Sequence, residues 1–237
     1  MRLLYIFPHP DDESYGVAHV ISKERREGHE VFLLTLTRGG ATKRRHDFGL
    51  TIEEMGRRRL EEMEAVARVL DLTDLTVLDF PDSELAEMDP RELEAAIANH
   101  IELVKPQVIV TYPVHGISGF HDHLVTHAVV KRSFVVARES ASGPRRLAFQ
   151  TLTEDHAATS PHFRLAHSKP ELIDCIVHVD PEDIDKAKRA LDCYTTFQRT
   201  IEESGIKDML RKEVAFELFG EERSPPLADL VAELPRG

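Results

Sequence analysis

At 237 residues and 41% hydrophobic content, the chain is long enough to bury one sizeable core, and a single domain is expected: residues 1–205 as its core, with a helical elaboration and tail over 206–237. Asp and Glu number 42 against 30 Lys and Arg, and the net charge of -12 argues against nucleic-acid binding through a broad basic surface. Cys175 and Cys193 make neither a zinc-type pair nor a secreted disulfide framework, no apolar stretch reaches spanning length, and the N-terminus enters a strand without a signal-peptide pattern, so a cytoplasmic protein without a membrane partner is expected.

Residues 2–7, RLLYIF, form a short apolar run without alternation, as a buried strand of a parallel sheet does. Phe7-Pro8-His9-Pro10-Asp11-Asp12-Glu13 follows at once and places one imidazole and three carboxylates within five residues. They emerge at the carboxyl end of the strand, where open α/β sheets bind their ligands. The prolines flanking His9 restrict its backbone on both sides. Adjacent aspartates on a turn point in different directions, so one can ligate a metal ion while its neighbour faces bound water; a catalytic zinc site commonly takes three protein ligands and leaves a position for that water. The competing reading is an acidic turn that caps the next helix through Asp11 or Asp12. His9, the prolines and a second histidine cluster downstream favour the metal.

Further strands are expected at about 31–37, 75–80 and 107–112, alternating with helices near 15–28, 52–70, 90–104 and 122–138, the βαβ order of a parallel sheet. Thr51 with Glu54, Asp89 with Pro90, and Asp180 with Pro181 carry N-cap chemistry. By pattern alone, Arg59 is one charge of three on a solvated face, and Lys43-Arg44-Arg45 is a basic loop that is either solvated or greets an anionic substrate. After QVIVTY (107–112) comes His115-Gly116-Ile117-Ser118-Gly119-Phe120-His121-Asp122-His123, so two strand ends converge on one site. His123 falls in the first turn of a helix and His127 one turn on, on the same face, but Leu124 stands where a His-Glu-x-x-His metalloprotease has its glutamate. Strands at 145–152 and 174–179 and a helix over 182–203 complete the pattern. The segment between, with His156, Ser160, Pro161, His162, His167 and Pro170, reads as a loop or lid over the site, and the chain beyond Ser224-Pro225-Pro226 as peripheral.

His-Pro-Asp-Asp-Glu after the first strand, paired with a downstream Gly-rich loop ending in Asp-His, resembles the zinc-dependent de-N-acetylases of the LmbE and PIG-L type along much of the chain. The resemblance implies an α/β, Rossmann-like three-layer fold with a mainly parallel sheet and helices on both faces. It implies hydrolysis of the acetamide of a small N-acetylglucosaminyl conjugate by metal-activated water, one Zn2+ per chain (Fe2+, Mn2+ and Co2+ being the other divalent candidates), and a homo-oligomer. Residue by residue, it makes His9, Asp12 and His123 metal ligands and Asp11 the general base. Arg59 with Glu62 matches the family's Arg-x-x-Glu helix, whose arginine helps hold substrate, and Asp82 matches the aspartate after the third strand.

The family's second motif usually reads His-x-Asp-His, its first histidine assisting the oxyanion or the leaving amine, and here Phe120 stands in that place. His121, His115 or His127 can supply the missing imidazole; His121 is taken as catalytic and His115 as a substrate contact. The context from Ile6 to Glu13 particularly resembles deacetylases of the bacillithiol route, whose substrate carries malate, and Arg59 or the 43–45 loop can meet its carboxylates. Two rivals stand beside this. Asp11, Asp12 and Glu13 suit Mg2+ or Mn2+ and phosphoester chemistry, although the histidines favour zinc. The other rival is a noncatalytic sugar- or metal-binding protein, which Phe120 keeps open.

Overall fold

The structure, a computed structural model, describes residues 1–160 and 164–235. In chain order the elements are β1 (Arg2–Phe7), α1 (Asp12–Gly16), α2 (Ala18–Arg26), β2 (Glu30–Thr37), α3 (Ile52–Leu70), β3 (Asp74–Phe80), α4 (Pro90–Val104), β4 (Val108–Thr111), α5 (His121–Ala137), β5 (Arg146–Thr151), α6 (Glu154–Ala157), β6 (Cys175–His178), α7 (Pro181–Asp192), α8 (Gln198–Ser204), α9 (Ile206–Met209) and β7 (Glu213–Leu218). One sheet of seven strands runs β3-β2-β1-β4-β5-β7-β6. Strands β1 to β5 are parallel, and β7 pairs antiparallel with both β5 and β6. The fold is thus the expected Rossmann-like three-layer α/β arrangement with a mainly parallel sheet.

Alternation along β1 explains the layers. Leu3, Tyr5 and Phe7 face one core with Val20 and Ile21 of α2, Met63 and Val66 of α3, and Ala187 and Leu191 of α7. Leu4 and Ile6 face the other, with Leu93 and Ile97 of α4 and Val129, Val130 and Phe134 of α5. The chain leaves β1 towards β2 and β3 on one side and passes from β4 to β5 on the other, so the strand order reverses between β1 and β4. That switch point opens a crevice at the strands' carboxyl ends, and both histidine-bearing segments emerge there.

Several expectations need correction. The helix expected at 15–28 begins earlier and is two helices broken at Val17, and the one at 182–203 is broken after Asp192. The helical elaboration expected beyond 205 contains only the single turn α9; Glu213–Leu218 is an interior strand, with Val214, Phe216 and Leu218 buried at a period of two. Nor is the chain beyond Pro226 peripheral. Arg146, 2% exposed, donates to Leu230 O at 2.6 Å and Ala232 O at 3.0 Å and forms an ion pair with Glu221. Of the segment expected as a lid, Pro161 and His162 lie outside the described residues. No helix among the described residues is long and apolar enough to cross a membrane.

Candidate metal centre

Asp11 occupies the N-cap position of α1 with φ 88°, yet its side chain caps nothing. The carboxylate is held from α3 instead, where Arg59 donates to Asp11 Oδ2 and to Pro10 O at 2.7 Å each, and to Gly39 O at 3.2 Å. Asp12 turns the other way. Its Oδ2 accepts from the His9 backbone N at 2.8 Å and lies 3.4 Å from His9 Nδ1; its Oδ1 accepts from the Tyr112 hydroxyl at 2.7 Å and lies 3.4 Å from His123 Nε2. One carboxylate therefore sits between two imidazoles, and ligand atoms of His9, Asp12 and His123 all lie within 4.8 Å of one another.

The far nitrogen of each imidazole is engaged, which turns the near one towards Asp12. His123 donates Nδ1–H to Gly116 O at 3.0 Å, with Ser118 Oγ at 3.2 Å, and its ring stacks on Tyr112 at 4.1 Å. Gly116 is required there: its φ is +61°, and a Cβ would come within 2.9 Å of His123 Cβ. His9 donates Nε2–H to Asp122 Oδ2 at 3.1 Å, with Asp82 Oδ1 at 3.4 Å. Asp122 is itself fixed by Ser83 N at 2.8 Å and Leu85 N at 3.2 Å, and Asp82 by Ala41 N at 2.7 Å.

The electrostatics show how much negative charge is gathered. Burial alone would lower the His9 pKa, but hydrogen bonds to Asp12 and Asp122 and the charges of Asp12 and Asp82 hold it up at about 10. Burial works against the Asp12 charge, yet His123 and His9 keep its carboxyl well below the ordinary range. Burial pushes the Asp11 carboxyl up to about 6 against the opposing pull of Arg59. Two imidazoles and a carboxylate, embedded among further carboxylates, suit a divalent cation with an open position for water, and a cation bound there would displace the proton that His9 otherwise holds.

The site opens into a cleft of about 950 Å³ lined by His9, Asp11, Asp12, Arg59, Asp82, His121 and His123 among others. His121, the first residue of α5, is exposed at its edge. His115, expected as a substrate contact, does not line the cleft: its ring accepts from Ile117 N at 3.1 Å and lies 3.5 Å from Ser168 Oγ. His127 does not line it either, since it donates Nδ1–H to Tyr112 O at 2.9 Å and packs on Phe149. Of the three imidazoles expected to replace the one missing at Phe120, His121 alone borders the cleft. Arg59 is not on a solvated face, and Glu62 lies away from the cleft, accepting from Thr195 Oγ1 and from both Thr196 N and Oγ1. Glu13 faces the core, where Tyr194 donates to it at 2.6 Å. The sequence reading assigned no role to Tyr112, Ser118 or Asp122; the adjacency of Asp122 to His123 was the available signal.

A family profile described as "PIG-L: GlcNAc-PI de-N-acetylase" matches residues 4–134. The chain is 30% identical over 168 residues to a 1D-myo-inositol 2-acetamido-2-deoxy-alpha-D-glucopyranoside deacetylase of Kineococcus radiotolerans, covering 60% of this chain and 46% of that protein. It is 36% identical over 123 residues to a probable N-acetyl-alpha-D-glucosaminyl L-malate deacetylase 2 of Bacillus subtilis, covering 51% of this chain and 56% of that protein. The chain thus spans about half the length of these curated relatives. Among solved structures, a deacetylase of teicoplanin biosynthesis superposes with TM-score 0.72 at 17% identity, over 92% of this chain and 98% of that one. GalB, a 4-carboxy-2-hydroxymuconate hydratase from Pseudomonas putida, does so with TM-score 0.69 at 13% identity, over 96% and 99%. These two likenesses establish the fold alone, and their different reactions leave the chemistry to the side chains. With a profile match that takes in both the His9–Glu13 and His121–His123 segments, the chain belongs to the PIG-L de-N-acetylase family.

Proposed function

We propose that the protein is a zinc-dependent hydrolase that removes the acetyl group from an N-acetylglucosaminyl conjugate. The observation that carries this reading is the position of Asp12 between His9 and His123, with the Asp11 carboxylate beside it and held by Arg59. The donor set of two nitrogens and one carboxylate fits zinc. When bound, zinc supplies Lewis-acid polarisation of the amide carbonyl and lowers the pKa of water.

The chain's own residues do the rest. Asp11 takes a proton from the attacking water and returns it to the leaving amine, so it serves as base and then as acid. Arg59 fixes the direction in which Asp11 accepts. Asp122, by holding Nε2–H of His9, aims Nδ1. His121 is the imidazole available to the oxyanion or amine, and Asp82 offers a carboxylate to a sugar hydroxyl at the cleft wall.

The relatives' printed activities point to inositol or malate conjugates of N-acetylglucosamine. For a malate conjugate, Arg59 is a poor carboxylate partner because Asp11 already neutralises it, and Arg44 is paired with Asp47 and Glu203. Lys43, which lines the cleft and has no ion pair among the described residues, is the better one. Cys175 and Cys193 are free thiols, which suits the cytoplasm, and a homo-oligomer follows from the family resemblance. A second reading, a noncatalytic sugar-binding protein, rests on Phe120, whose ring is 59% exposed and meets His123 edge-on where the family places a histidine. Chelation followed by graded zinc addition separates the two. Amine release from N-acetylglucosaminyl malate or inositol should return with about one zinc per chain, as the three-ligand site requires, whereas ligand binding without amine release supports the second reading.

A further inference from the structure

The charged residues that line the cleft come from a limited set of segments. Every Asp, Glu, Lys and Arg that lines it comes from residues 11–12, 43–59, 82 or 122. The segments 150–165 and 204–214 contribute none among the described residues; Leu152, Leu165, Ile206, Met209, Leu210 and Val214 line the cleft there, with the uncharged polar Gln150, Thr151, His156, Ser160 and Ser204. At about 950 Å³, the cleft is near the upper end of the ~300–1,000 Å³ range that holds drug-sized ligands, more than one amino sugar needs.

His19, on the first turn of α2, also lines this cleft. It is only 3% exposed, its Nδ1 is buried without a partner, and the ring makes no hydrogen bond among the described residues. Buried polar atoms are ordinarily paired, and an unpaired one is costly. Burial, reinforced by His156, pushes the His19 pKa down to about 4, so the ring is neutral near pH 7 and offers one donor and one acceptor. His156 is likewise depressed by burial and donates Nε2–H to Met209 O at 2.9 Å. A carboxylate entering here would lose its hydration without a Lys or Arg among the described lining residues of these two segments to replace it.

We propose that the part of the cleft lined by Leu152, Leu165, Ile206, Met209, Leu210 and Val214 is a specificity subsite for a neutral, largely apolar extension of the substrate, an alkyl or aryl group with one polar atom for His19. Such an extension is carried either on the glycosidic oxygen or on the amide as an acyl chain longer than acetyl. The inference rests on the de-N-acetylase reading for the identity of the sugar, so binding and turnover are measured separately.

The test is calorimetric titration and amine release with the zinc-loaded protein and four ligands: methyl N-acetylglucosaminide, its hexyl analogue, methyl N-hexanoylglucosaminide, and a 5-hydroxypentyl glycoside of N-acetylglucosamine. One of the two extended families should bind about tenfold or more tightly than the methyl parent, as burial of several methylenes requires, and which family does so identifies the end that enters. Leu210→Arg should abolish the gain, and His19→Leu should abolish discrimination between the hexyl and hydroxypentyl chains. Equal affinity for all four ligands in the unaltered protein overturns the subsite, as does a gain that survives Leu210→Arg. Turnover of the methyl parent without any gain overturns the subsite and leaves the deacetylase reading standing. A gain without amine release from any ligand does the reverse.

Discussion

Arg59 donates to Asp11 Oδ2 at 2.7 Å from a guanidinium that is 3% exposed and lies 3.9 Å from the Phe197 ring centroid. In the proposed mechanism an arginine so enclosed aims Asp11 rather than reaching out for substrate. Its fork bonds Asp11, Pro10 and Gly39 together, a geometry that a lysine ammonium does not reproduce. Arg59→Lys should lower kcat by about 10²-fold, the scale of a small misplacement of a reacting group, with KM and zinc content nearly unchanged. A rise in KM alone would return Arg59 to the role of substrate contact.

In the proposed site, Asp122 would act on the metal through His9. Asp122→Asn removes the anionic acceptor of His9 Nε2–H, and zinc affinity should fall by about 10–100-fold. Competitive titration against a chromogenic chelator reads this directly. Unchanged affinity would mean that His9 does not use Nδ1 for the metal.

In the proposed mechanism His121, which borders the cleft, compensates for Phe120. His121→Ala should cost about 10²-fold or more in kcat, the usual scale for a lost acid–base group, and adding Phe120→His should restore much of it. An active His121→Ala protein would show that Asp11 alone handles the proton.

Glu24 links stability to pH. Tyr5 donates to it at 2.8 Å, but burial, aided by Asp229, pushes its carboxyl from 4.5 up to about 8. The folded chain therefore holds a proton that the unfolded chain releases, and stability falls as pH rises from about 4.5 through about 8. Each pKa unit is worth ~1.4 kcal/mol, so the loss is readable in Tm. Glu24→Gln should raise Tm at pH 8.5 and leave it little changed at pH 5. A uniform shift at both pH values would place the effect in packing instead.

Arg146 fastens the C-terminal segment. Arg146→Ala leaves Glu221 without its buried partner and two carbonyls without a donor, and should cost about 3–5 kcal/mol in urea unfolding. A loss under about 1 kcal/mol, the scale of an exposed pair, would show that the segment is not held through this residue.

What could be read from the sequence was what is local. The apolar runs of β1 and β4, the capping box from Thr51 to Glu54 and the proline-led start of α4 are each set by neighbours a few residues apart. The histidine–aspartate set was legible because both segments follow strand ends, which parallel sheets bring together. Pattern alone put Arg59 on a solvated face, because its partner is 48 residues away and its neighbours Arg57 and Arg58 are exposed; the family resemblance was what placed it at the site. β7 was missed because Glu213 and Glu217 give it a helix-like charge spacing, while its burial depends on insertion between β5 and β6. Asp122 received no role because its partner His9 is 113 residues away.

The most direct test of the account is amine release from N-acetylglucosaminyl conjugates by zinc-loaded wild type and Asp11→Asn, with zinc measured in both. The account predicts product from wild type, a large loss in the variant and equal zinc in the two, because Asp11 moves the proton and His9, Asp12 and His123 hold the metal. Equal turnover by both proteins, or loss of zinc from Asp11→Asn, would contradict that division of labour.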